Sequence, residues 1–139
     1  MGIDQLHVLI GTWEITGRSA GASADDISGT MTATSILDGT VLQLVGTMRA
    51  AGFEIDSLEL IWANAASDGF SAHTYSKFGP PLDYRWERHG DTLIHAGSGA
   101  TYTGSIEDGG ARIVGQWKAD PGQPPSPGSD YGATMRRID

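Results

Sequence analysis

Ten short runs of strand-forming residues follow one another along this chain at about ten-residue spacing, each closed by a turn signal, and this rhythm constrains the fold more than any other feature. The runs cover residues 7–16, 27–37, 40–48, 53–63, 70–77, 82–88, 92–96, 101–106, 111–118 and 131–138. Between them stand Asp38-Gly39, Ala51-Gly52, Ser67-Asp68-Gly69, Gly79-Pro80-Pro81, Gly90-Asp91 and Asp108-Gly109-Gly110, residue types that reach turn conformations at low cost. No long segment carries a helical period, and only residues 3–9 suit a short helix or turn.

Links this short make sequence neighbours pair antiparallel, and closing such a sheet removes the exposed edges that invite aggregation. The expectation is an all-β fold: one up-and-down antiparallel barrel of about ten strands filling residues 1–139 as a single domain. The 20 glycines agree with many turns and close strand packing. Two longer connections break the rhythm, residues 18–26 and residues 120–129, where Pro121, Pro124, Pro125 and Pro127 forbid regular pairing. They are expected either to cover a barrel mouth or to be solvated connectors.

Several functions are disfavoured at once. There is no cysteine, hence no disulfide, thiolate metal site or cysteine nucleophile. A net charge of -8 opposes nonspecific binding to nucleic acid and anionic lipid, so neither is an expected partner. The N-terminal residues carry no basic and apolar leader pattern, and no apolar run is long enough to span a bilayer, so the sequence reads as soluble and cytoplasmic. No histidine pair has zinc spacing, Asp25-Asp26 lacks a calcium-loop pattern, and Gly97-Ser98-Gly99 lacks the frame of a nucleophile elbow. No metal is expected, and the oligomeric state stays open, a homodimer among the options.

The opening Leu9-Ile10-Gly11-Thr12-Trp13-Glu14 resembles the Gly-x-Trp signature on the first strand of lipocalins and related calycin barrels. The resemblance implies that Trp13 plugs the closed end, with an arginine of the last strand, Arg136 or Arg137, lying across the indole. Together with the Leu37-Asp38-Gly39-Thr40 turn, the whole chain is similar to small bacterial lipocalin-like proteins of unknown function. Nitrobindin-like haem barrels share the size and architecture but use a histidine near the C-terminus, and residues 131–139 contain none, so no cofactor is expected.

Alternation of side chains across each strand sorts the candidates for the lumen. Tyr84 and Trp86 should face inward; Leu93 with His95, Tyr102 with Gly104 and Ile106, and Ile113 with Trp117 form like-facing sets. In residues 53–63, Leu58, Leu60 and Trp62 share a face with Glu54 and Asp56, which would set two carboxylates near one mouth if that face is internal. The expected ligand-binding residues are Trp62, Tyr75, Tyr84, Trp86, Tyr102 and Trp117, enclosing a small, mainly apolar or aromatic partner. His73, His95, Asp56 and Glu54 are the candidate acid–base groups for the alternative, a cofactor-free cyclase, isomerase or lyase in the same cavity. A core filled by its own side chains is the remaining option.

Overall fold

The computed structural model describes residues 2–50, 52–124 and 130–139. Ala51 of the Ala51-Gly52 turn, and Pro125, Pro127 and Ser129 of the late loop, lie outside the described residues. A 3-10 helix, Ile3–Leu9, precedes β1 (Gly11–Ser19), β2 (Ile27–Ile36), β3 (Val41–Ala50), β4 (Phe53–Ala63) and β5 (Phe70–Ser76). The chain continues through β6 (Gly79–His89), β7 (Thr92–Gly97), β8 (Ala100–Glu107), a 3-10 turn at Asp108–Gly110, β9 (Arg112–Ala119) and β10 (Tyr131–Arg137). Each strand pairs antiparallel with its sequence neighbour, and β1 pairs with β10 from Trp13↔Arg137 to Ser19↔Tyr131, closing the barrel.

Two boundaries depart from expectation. The strand expected from residue 7 begins at Gly11, because Ile3, Leu6 and Leu9 recur at the three-residue period of a 3-10 helix and bury together beneath the barrel. Gly79-Pro80-Pro81, read as a turn, opens β6, and the chain reverses at Lys77 and Phe78 instead. Proline is tolerated there because the register between β5 and β6 slips after Thr74, leaving the start of β6 outside the regular ladder.

The ends of the barrel differ. At the closed end Leu6, Leu9, Trp13, Leu42, Ile61, Leu93 and Ile113 have almost no exposed surface, so the helix seals the floor with apolar side chains. The Trp13 indole donates to the Leu9 carbonyl at 2.8 Å, and Arg137 lies over its ring at 4.4 Å. Of the two arginines expected for this place, Arg137 takes it: it donates to the carbonyls of Val8 at 2.8 Å and Gly110 at 3.3 Å, and also to that of Ile10. Arg136 is exposed. Gly11, with φ of 138°, adopts a conformation that side chains rarely reach, and a Cβ there would collide with the Arg137 guanidinium.

At the other end lie the strand ends joined by the β1–β2, β3–β4, β5–β6, β7–β8 and β9–β10 connections, so both long loops leave and rejoin the barrel on the same side. The wall is incomplete near this rim. β4 pairs with β5 only from Leu58↔Tyr75 to Ala63↔Phe70, whereas its first residues, from Ala50↔Phe53 to Gly46↔Ser57, pair with β3 alone. Phe53, Ile55, Phe78 and Leu82 are exposed around this seam. Among the described residues no helix is long and apolar enough to cross a membrane.

Candidate functional site

Inside the barrel is a cavity of about 250 Å³. Its walls carry Ile15, Met31, Leu44, Met48, Met135 and a set of aromatic rings: Tyr84 and Trp86 from β6, Tyr102 from β8, Trp117 from β9 and Tyr131 from β10. His95 of β7 stacks on Trp86 with centroids 3.8 Å apart, and meets Tyr84 at 5.0 Å and Trp117 at 5.3 Å. Trp117 in turn contacts Tyr102 at 5.7 Å and Tyr131 at 6.2 Å, so the rings form a continuous wall.

Glycine makes room for this wall. A Cβ on Gly97 would strike the Tyr84 ring, and one on Gly104 or Gly115 would strike Tyr102, so both phenol rings lie flat over bare backbone. Tyr102 donates its hydroxyl to the Ala133 carbonyl at 3.1 Å. Burial pushes the Tyr131 phenol up to about 12, with Tyr84 adding to it, and pushes the Tyr102 phenol up as well, with Tyr131 the lesser cause. Both are therefore neutral hydroxyls near neutral pH, fit for hydrogen bonding rather than for service as ionised bases.

One charged group stands in this apolar setting. Glu59 of β4 is 7% exposed, and its Oε2 lies 2.9 Å from Trp86 Nε1 and 2.9 Å from His95 Nε2. The indole can only donate; the imidazole donates when Nε2 carries its proton, which leaves Nδ1 as an acceptor. Both contacts use one carboxylate oxygen, so Glu59 Oε1, without a hydrogen-bond partner among the described residues, is left for the lumen. Directly across the β4–β5 ladder is Thr74, whose buried Oγ1 has no hydrogen-bond partner among the described residues and lines the same cavity. Ser57 flanks Glu59 on the inner face. Glu59, Thr74, Ser57 and His95 thus make one polar corner in an aromatic chamber.

The structure brings part of the expected site together. Tyr84, Trp86, Tyr102, Trp117 and His95 line the cavity; Trp62, Tyr75, His73, Glu54 and Asp56 do not. Trp62 and His73 meet edge to face at 4.9 Å on the outer surface of β4 and β5, with Tyr75 beside them and Asp83 3.1 Å from His73 Nε2. Glu54 is ion-paired with Arg49 at 2.7 Å, and Asp56 accepts from the Thr47 hydroxyl at 2.7 Å, both exposed. The face of β4 carrying Leu58, Leu60 and Trp62 is the outer one, so the placement of Glu54 and Asp56 at an internal mouth is corrected: Ser57, Glu59 and Ile61 point inward. The cross-strand register carries the missing signal, because it sets Glu59 opposite Thr74 and Ile61 opposite the buried Ala72.

No family model matches the chain, and no curated protein matches it by sequence. Among solved structures, it is similar to the crystal structure of Rv2717c from M. tuberculosis, with a TM-score of 0.65 at 12% identity over 99% of this chain and 97% of that one. At that identity the likeness establishes a common fold.

Proposed function

We propose that this chain is a lipocalin-like barrel that binds one small, flat, mainly apolar molecule in its lumen. The observation that carries the reading is the cavity itself: about 250 Å³, walled by five aromatic residues and several aliphatic ones, with its polar groups gathered at one corner. Apolar walls supply affinity through burial, and a few converging polar groups fix orientation, which is the usual division of labour in a small-molecule site.

Native mass spectrometry of the protein purified from its producer's extract tests this, together with the Trp86→Ala variant. A retained small molecule, lost in the variant, is the expected result. A protein that leaves the extract bare, and that also fails to bind the neutral fluorophore N-phenyl-1-naphthylamine, overturns the reading.

A second reading, a cofactor-free cyclase, isomerase or lyase, draws support from the 2.9 Å contact between Glu59 and His95. A carboxylate that accepts from Nε2 orients the ring and fixes its tautomer, which leaves Nδ1 to take a proton from a bound substrate. Recovery of a chemically altered molecule after incubation with extract, lost in His95→Gln, would favour catalysis over storage or transport.

A further inference from the structure

Resting on the reading of the lumen as a binding site, we infer that its ligand carries a protonated amine, held between Glu59 Oε1 and Thr74 Oγ1 with the apolar body against the aromatic wall. Three observations and the register of the ladder converge on this class. Among the described residues the carboxylate is the one acidic side chain that lines the cavity, and neither lysine nor arginine lines it. Its Oε2 already receives Trp86 and His95, so the free valence of the corner is an acceptor, Oε1. Thr74 Oγ1, buried and without a partner among the described residues, can accept as well as donate, and so offers a second acceptor on the residue facing Glu59. Cross-strand partners hold their Cβ atoms about 4.5–5.5 Å apart, close enough for one ammonium to reach both.

The walls suit the same charge. Tyr84, Trp86, Tyr102, Trp117 and Tyr131 turn ring faces and edges to the lumen, and a cation set against electron-rich ring faces in a dry site gains more than it does in water. A neutral alcohol would satisfy the acceptors but not the charge; a carboxylate would meet Glu59 with like charge. The net charge of -8 draws cations towards the protein and repels anions.

Calorimetric titration with three probes of one shape, 1-naphthylmethylamine, 1-naphthalenemethanol and 1-naphthoate, separates the possibilities. The amine should bind about tenfold or more tightly than the alcohol, and the carboxylate weakest, as expected for a charge-assisted contact in a desolvated site. Glu59→Gln should bring amine and alcohol within about threefold of each other, the charge-assisted part being lost. Thr74→Val, which keeps shape and loses only the hydroxyl, should weaken the amine about three- to tenfold and serves if Glu59→Gln fails to fold by circular dichroism. Equal binding of amine and alcohol, tighter binding of the carboxylate, or an amine affinity indifferent to both substitutions overturns the amine assignment while leaving the lumen a binding site. If none of the probes binds, and N-phenyl-1-naphthylamine does not either, the lumen reading falls with it.

Discussion

Trp86 and His95 lie opposite each other on β6 and β7, stack with planes 13° apart, and converge on the same oxygen of Glu59 from 2.9 Å each. The carboxylate thereby acts as a keystone between β4 and the two aromatic strands across the lumen. Glu59→Gln keeps an acceptor in place and loses only the charge assistance, which should cost about 1 kcal/mol of unfolding free energy. Glu59→Leu strands both donors and should cost about 2–4 kcal/mol, since a buried donor left without its acceptor loses its full desolvation term. Urea unfolding of the two variants checks the order; a leucine variant as stable as the parent would show that the carboxylate is not needed for the fold.

The floor makes a second test, through a pair of adjacent arginines. Arg137 donates to three carbonyls and covers Trp13, whereas Arg136 is exposed. Arg137→Ala should therefore destabilise by about 2–5 kcal/mol, and Arg136→Ala by no more than about 0.5 kcal/mol. Arg137→Lys keeps the charge but cannot fork to several acceptors, and should fall between the two. Thermal unfolding of the three variants side by side decides it.

Gly11→Ala should be about as damaging as loss of the arginine. Its φ of 138° and the guanidinium beside it oppose a Cβ together, and strain of this kind costs about 1–3 kcal/mol before the arginine is displaced. Gly21→Ala is the control, since φ there is 81° but nothing lies within 4 Å of the added Cβ. The difference between the two variants reports the more strained φ at Gly11 together with the crowding there by Arg137 and Asp139.

Stability should fall at high pH through the lumen tyrosines. Tyr131 ionises at an ordinary 10.0 in the unfolded chain and at about 12 in the barrel, and Tyr102 is shifted in the same direction. Above pH 10 the unfolded chain has lost protons that the folded one retains, so the stabilisation is complete below that pH and is lost as pH rises towards 12. Each group steepens the decline by up to about 1.4 kcal/mol per pH unit. Denaturant midpoints measured from pH 8 upward should show the decline, and Tyr131→Phe should flatten it; an unchanged profile in that variant would place the titrating group elsewhere.

The barrel itself was legible because turn residues at regular spacing fix which strands are neighbours, and neighbours in an up-and-down sheet are the whole topology. Lumen-facing Tyr84, Trp86, His95, Tyr102 and Trp117 followed from alternation on strands where one face is plainly more apolar than the other. β4 broke that rule. Its outer face carries Leu58, Leu60 and Trp62, half-buried against the outer side chains of β5, while its inner face carries Ser57 and Glu59. Hydrophobic residues inside is a one-way tendency, and a strand that contributes a polar corner to a cavity inverts it. Tyr131 escaped notice as a lumen residue because it begins its strand directly after the proline-rich loop, where too few residues precede it to show a pattern.

The seam between β4 and β5 separates two properties of the molecule that a fully stitched cylinder would tie together. Because the ladder ends at Leu58↔Tyr75, the hairpins on either side can part at the rim without breaking a sheet hydrogen bond, whereas the depth at which Glu59 and Thr74 sit cannot widen unless the ladder opens. On the proposed reading of the lumen as a binding site, the collar would govern how fast a guest arrives and departs, and the chamber below how tightly it is held. Stitching the collar shut would slow exchange in both directions and leave the equilibrium where it was.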